Sequence, residues 1–298
     1  MKKLLFCLTL VMLIAACAPK APSPTSEQII VEKRVVQCWD GSIAESIEKC
    51  PPRSEIKEEP TIEEIPKDLG DFKLVYGIIK DSAYQELQKL FQEAKLFETT
   101  LDELNNVLSL PVDVYVRFQE CGDTNALYVP EQKQIIMCYE LISYFALLFG
   151  PLVETEEEWD QAVLHATFFT LYHELGHGLV DVLDIPITGK EEDAVDGLST
   201  LILAEAGVED AALNGATWFL LQGAQQTNIE DLAFWDEHSL DLQRFFNIAC
   251  WVYGKNPEDH AYLVDDGILP MERAERCSAE YQQLYNSWDK LLAPYLKE

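Results

Sequence analysis

The sequence predicts an α+β chain, mostly helical, with a small mixed sheet or hairpin gathered ahead of the helices. Three observations predict it. Short runs with strand character are confined to residues 72–139. From Glu140 onward, apolar residues recur at helical spacing. The helical stretches are separated at Gly150-Pro151, at Asn256-Pro257, and in the segments 184–190 and 267–270, each carrying Gly or Pro.

Taken in order, the chain opens with Lys2 and Lys3 ahead of an apolar run over 4–16 that ends in small residues, the layout of a secretory signal. Ile14-Ala15-Ala16-Cys17 resembles the lipobox of bacterial lipoproteins, where the cysteine becomes the lipidated first residue. Residues 1–17 are therefore expected to be a lipoprotein signal, with Cys17 as lipidation site and a membrane contact through its lipid. Ala18 is not the aspartate that favours inner-membrane retention, so the expected address is the bacterial envelope, at the outer membrane or periplasmic face.

Residues 18–68 read as a Pro- and Glu-rich tether around a small loop from Cys38 to Cys50. The main domain is expected over 69–298. Setting aside Cys7 and Cys17, six cysteines remain, an even number that suits three disulfides in an exported chain. Nearest-neighbour pairing is expected, because each pair brackets a local unit. No CxxC spacing favours thiolate-bound metal.

Within the main domain, 72–78 reads as a short strand, and 81–96 and 100–108 as helices. Residues 112–118 alternate as a half-buried strand does. The segments 121–130 and 133–139 would make a hairpin turning at Pro130-Glu131-Gln132, pinned if Cys121 pairs with Cys138. A long helix is expected over 156–183, opened by Glu156-Glu157-Glu158 where negative charge suits a helix N-terminus.

Composition narrows the partners. The chain has 52 acidic against 22 basic residues, a formal net charge of -30, which repels phosphate backbones and argues against nucleic acid. Hydrophobic content of 48% indicates a packed globular protein rather than a disordered one.

Inside the long helix lies His173-Glu174-Leu175-Gly176-His177, which uses two of only five histidines. Positions i and i+4 project from one helix face, so both imidazoles can reach one zinc ion (Zn2+) at about 2.0–2.1 Å. Glu174 is placed to take a proton from a water at that ion, the arrangement of metal-assisted hydrolysis. The surroundings are apolar (Phe168, Phe169, Leu171, Leu175, Leu179, Val180), where two histidines and a glutamate need a reason to be buried. Gly176 and Gly178 weaken the helix, as a close approach by a neighbouring element or a substrate would require.

A third ligand is needed. The metzincin pattern HExxHxxGxxH fails, with Val180 and Leu183 at its last two positions. The thermolysin-like pattern, a glutamate on a following helix and an aspartate four residues on that orients the first histidine, is met by Glu192 and Asp196. The run Glu191-Glu192-Asp193 leaves Glu191, Asp193 and Asp196 as alternatives for the ligand.

The stretches 169–199, 121–141 and 236–254 resemble the core and two further signatures of a bacterial metallopeptidase family known as a domain of unknown function. The resemblance covers most of 112–255 in matching order. It implies a zincin-type fold of the glutamate-ligand class, and hence a zinc-dependent hydrolase acting on peptide or protein substrates. Asn125-Ala126 resembles the edge-strand pair with which thermolysin-like enzymes hold substrate backbone. His238 is the foremost candidate to stabilise an oxyanion, with Tyr253 behind it; His165 and His260 read as structural or solvated. The competing reading is a catalytically inactive zincin-fold envelope lipoprotein serving as a binding or scaffold module.

Overall fold

The computed structural model describes residues 36–38, 42–50, 68–226, 228, 230 and 232–297. The expected signal with Cys17 and the segments 18–35 and 51–67 lie outside the described residues. The chain divides into two units, 1–61 and 62–298.

In the first unit, β1 (Val36–Gln37) and β2 (Ile43–Ala44) pair antiparallel. The Cys38 N–H donates to the Ser42 carbonyl at 2.7 Å, and Cys38 is bonded to Cys50. So few residues bury little surface, so the covalent link is a main constraint on them.

The second unit holds a four-stranded sheet and all of the described α-helices. Its strands are β3 (Phe72–Tyr76), β4 (Val114–Gln119), β5 (Ala126–Val129) and β6 (Gln134–Cys138), in the order β3-β4-β6-β5. β3, β4 and β6 run parallel and β5 antiparallel to β6, so the sheet is mixed and the molecule α+β. Along β4, Val114, Val116 and Phe118 are fully buried while Tyr115 faces outward, as period-2 alternation demands.

The β3-to-β4 crossover carries α1 (Ser82–Ala94) and α2 (Leu96–Val107), whose Phe91 and Phe97 pack under Phe118. Here the structure corrects the expected boundaries. The expected second helix began at 100, but α2 starts straight after Lys95, which caps α1 in the left-handed region at φ 52°. Thr100, inside α2, returns its hydroxyl to the Leu96 carbonyl.

The hairpin β5–β6 turns through Pro130–Gln132, and Cys121 is bonded to Cys138 at its open end. After it come α3 (Tyr139–Phe149), α4 (Glu156–Val182), α5 (Glu191–Glu205), α6 (Glu209–Gly223) and α7 (Asp241–Lys255). Short helices α8 (Tyr262–Asp265) and α9 (Met271–Ala274) lead to α10 (Cys277–Leu292). The Cys250–Cys277 bond joins α7 to α10, so all three disulfides are nearest-neighbour pairs. Among the described residues, no helix is long and apolar enough to cross a membrane.

α4 is the central strut. Thr155 caps it, accepting the Glu158 N–H while Glu158 accepts the Thr155 N–H. One face (Leu171, Leu175, Leu179) joins the core beneath the sheet, and Phe169 joins a second core with Ala212, Phe219 and Ile248 of α6 and α7. Being buried on nearly all sides, α4 holds whatever side chains it carries in fixed positions.

Candidate metal centre

Two glycines let neighbours close on α4. A Cβ at Gly176 would stand 2.8 Å from the Val195 Cβ, so α5 can cross α4 at this distance only because the position is glycine. At Gly178 the Tyr128 ring of β5 approaches to 3.4 Å of where a Cβ would be. The close approach expected at these glycines thus comes from α5 on one side and the edge strand on the other.

The crossing brings Glu192 to the histidine pair. The His173 and His177 Nε2 atoms are 3.3 Å apart. Glu192 Oε2 stands 3.2 Å from His173 Nε2, and its Oε1 stands 3.3 Å from His177 Nε2. Four-coordinate tetrahedral ligation at 2.0–2.1 Å spaces donors by about 3.3–3.4 Å. The separation of the two inner nitrogens matches that spacing, and each of them has one Glu192 oxygen at a similar distance, Oε2 for His173 and Oε1 for His177.

The outer ring nitrogens fix the inner ones. His173 Nδ1–H donates to Asp196 at 2.8 Å and His177 Nδ1–H to Glu191 at 2.7 Å, so both Nε2 atoms are left facing inward. Ionised carboxylates only accept, which sets the tautomer. Glu191 therefore spends an oxygen on the far side of His177. Asp193 accepts from the Ser239 hydroxyl at 3.0 Å, and Asp196 sits behind His173. Of the four carboxylates in 191–196, only Glu192 groups with both inner nitrogens.

Asp196 is itself anchored. Arg244 of α7 grips it with both ends, Nε to Oδ2 at 2.7 Å and a terminal nitrogen to Oδ1 at 2.8 Å, and lies 3.8 Å above the Phe219 ring. Burial works against the Asp196 charge, but Arg244 and His173 bring its pKa down to about 2. Burial likewise disfavours a charged His173, yet Asp196 and Glu192 raise its pKa to about 9. The pocket is built to hold positive charge at these rings. With the ring protons on Nδ1, as Asp196, Glu191 and Asp236 set them, Glu192 Oε2 is buried and receives no hydrogen bond. The donor set fits a metal ion.

Glu174 lies beside the cluster, buried, with its pKa pushed up by that burial. The cleft it lines has a volume of about 750 Å³. β5 forms the opposite wall with Asn125, Ala126 and Tyr128, and Asp181 of α4 holds the hairpin there through the Tyr128 hydroxyl at 2.5 Å and Lys133 Nζ at 2.6 Å. The Asn125 carbonyl accepts the Cys138 N–H at 3.3 Å, and strand alternation then turns the Ala126 and Tyr128 backbone outward. The Tyr128 N–H indeed faces Glu174.

His238 enters from the loop before α7. Its Nε2 stands 3.1 Å from Glu192 Oε2, and its Nδ1 meets Asp236 at 3.0 Å. Lys190 donates to the Asp236 and His238 carbonyls, both at 2.9 Å, and so holds the loop. The other candidates lie elsewhere. Tyr253 packs in the cluster around Cys250 and Cys277, His165 takes a hydrogen bond from Asn214, and His260 is buried in a turn. Arg244's grip on Asp196 and the loop clamp of Lys190 have no signature in local spacing; a lone arginine on the apolar face of a helix was the single available signal for the first.

Neither a curated protein nor a solved structure matches the chain. One family model matches residues 76–292, a span that contains all the residues around the cleft. A metal ion is implied by that family, and the His and Glu cluster could hold one. The chain belongs to this family, described as "Putative metallopeptidase".

Proposed function

We propose that the protein is a zinc-dependent peptide hydrolase of the zincin type, lipid-anchored through Cys17 in the bacterial envelope. The observation that carries the catalytic reading is the convergence of the His173 and His177 Nε2 atoms, 3.3 Å apart, on the two Glu192 carboxylate oxygens at 3.2 and 3.3 Å. Two histidines and one glutamate are a zinc donor set with room for a further ligand. The envelope address rests on the N-terminal residues, with the three disulfides in support.

Zinc held there supplies Lewis acidity, lowering the pKa of a water and polarising a carbonyl. The remaining work falls to the chain. The exposed backbone of β5 at Ala126 and Tyr128 takes an extended peptide as an added strand, with Asn125 beside it. Glu174 removes a proton from the attacking water and returns it to the leaving amine. Its raised pKa makes it a stronger base than an exposed glutamate. As an imidazolium, the form that the neighbouring Glu192 and Asp236 carboxylates favour, His238 keeps Nδ1–H on Asp236 and donates from Nε2 to the oxygen on which charge develops. Asp196 and Glu191 hold the two imidazoles in register.

The test is Glu174→Gln. Wild type and variant should both retain stoichiometric zinc, and peptide-library cleavage should fall about 10²–10⁴-fold in the variant. Zinc-loaded wild type that cleaves no peptide would leave a zincin-fold binding module instead.

A further inference from the structure

An apolar groove of about 460 Å³ lies between α1, α3 and α4 and shares no lining residue with the metal cleft. Leu87 and Leu90 of α1 form one wall, Ile142 and Ala146 of α3 another, and Trp159 and Val163 of α4 the third. The lining is almost free of polar groups. The Trp159 Nε1–H is spent on the Ala146 carbonyl at 2.7 Å, which leaves Ser143 and Asp160 as the polar side chains. At the rim Leu90 is 61% exposed, and Leu147, one turn past Ser143 on the same face of α3, is 78% exposed. Apolar surface gathered in this way marks an interaction site.

The rim is acidic. Asp160 stands in the α4 wall, and Glu156 lies one turn before it on the same face. Neither α3 nor α4 contains a lysine or arginine. On α1, Lys89 stands 3.5 Å from Glu93, which offsets its charge and leaves Lys95 at the α1–α2 junction as the remaining cation of that wall.

These features select among occupants. All three walls are helices, whose backbone groups are bonded internally, so they offer no ladder to an extended chain. An extended segment would leave its own N–H and C=O groups unmatched against leucine and tryptophan, whereas a helix satisfies them itself. A second copy would bring the same acidic rim, from a chain of net charge -30, against this one. A bilayer surface does not fill a concavity, and its anionic headgroups would meet that rim as well.

We propose that this groove docks a cationic amphipathic helix of a peptide or protein partner. The partner's apolar stripe fills the groove, and its lysines or arginines face Asp160 and Glu156.

The experiment uses the full chain carrying Glu174→Gln, so that the probe is not consumed. The probe is a fluorescent lysine–leucine peptide of about 18 residues with leucines at i, i+3, i+4 spacing, followed by anisotropy. It should bind more tightly than a glutamate–leucine peptide of the same pattern and than a scramble that scatters its leucines. Leu90→Asp, a change at an exposed position, should weaken binding at least about tenfold, since one leucine's burial is lost. Glu156→Lys/Asp160→Lys should weaken it at low salt and flatten its salt dependence. Equal binding to the Leu90→Asp variant would place the peptide elsewhere, the acidic metal cleft included, and overturns the proposal. So does an equal affinity for the glutamate–leucine peptide. A dimer in sedimentation, or capture by phosphatidylglycerol vesicles, that Leu90→Asp abolishes would give the groove to a second copy or to lipid, and likewise overturns it.

Discussion

Asp196 shows at the scale of one residue how a local pattern acquires chemistry. Its spacing from Glu192 was visible in the chain, but its charge is held in a buried setting by Arg244, which lies 48 residues further along the sequence. Removing the guanidinium by Arg244→Met should leave an uncompensated buried carboxylate and cost about 3–5 kcal/mol, read from urea unfolding. Metal affinity should fall as well, because the same carboxylate orients His173. The pH dependence has a definite sign. A carboxylate depressed from 3.8 to about 2 contributes stability that is present above about pH 4 and is lost as pH falls through about 2. Wild type should lose about 2 kcal/mol over that window from this group, and Asp196→Asn should lack that component. An equal acid slope in both would show that Asp196 is not responsible.

At the scale of elements, the site depends on how closely α5 crosses α4. In isolation, Gly176→Ala would favour the helix by about 1 kcal/mol. In this packing the added methyl meets Val195 at 2.8 Å, so α5 must shift and take Glu192 and Asp196 with it. The expected outcome is weaker zinc binding with no gain in melting temperature; unchanged affinity would mean that the crossing tolerates displacement. The hairpin depends on its staple in a comparable way. Opening the Cys121–Cys138 link, which spans 17 residues, by a Cys121→Ala/Cys138→Ala pair should cost about 3 kcal/mol. It should also raise KM for peptides more than it lowers kcat, since β5 is the proposed substrate edge. The main helix was readable because apolar spacing, an acidic first turn and a Gly–Pro break agree over 27 residues. The α1–α2 junction was not, because a lysine in the left-handed region carries no sequence mark.

For the molecule as a whole, local periodicity determined a good deal. It set the shared face of His173 and His177, the i, i+4 pair Glu192 and Asp196, the hairpin after Cys121, and helices that follow a small sheet. Nearest-neighbour pairing of the six cysteines was likewise suggested by the local units they bracket. Tertiary structure decided which carboxylate in 191–196 faces both inner nitrogens, that Glu191 backs His177, that Arg244 backs Asp196, and that His238 rather than Tyr253 borders the cleft. The physical reason is one of range. Backbone periodicity fixes directions within a single helix, about 1.5 Å per residue along its axis. Which atoms of separate helices come within 3.3 Å is settled by packing at Gly176 and Val195, which no single-helix pattern encodes.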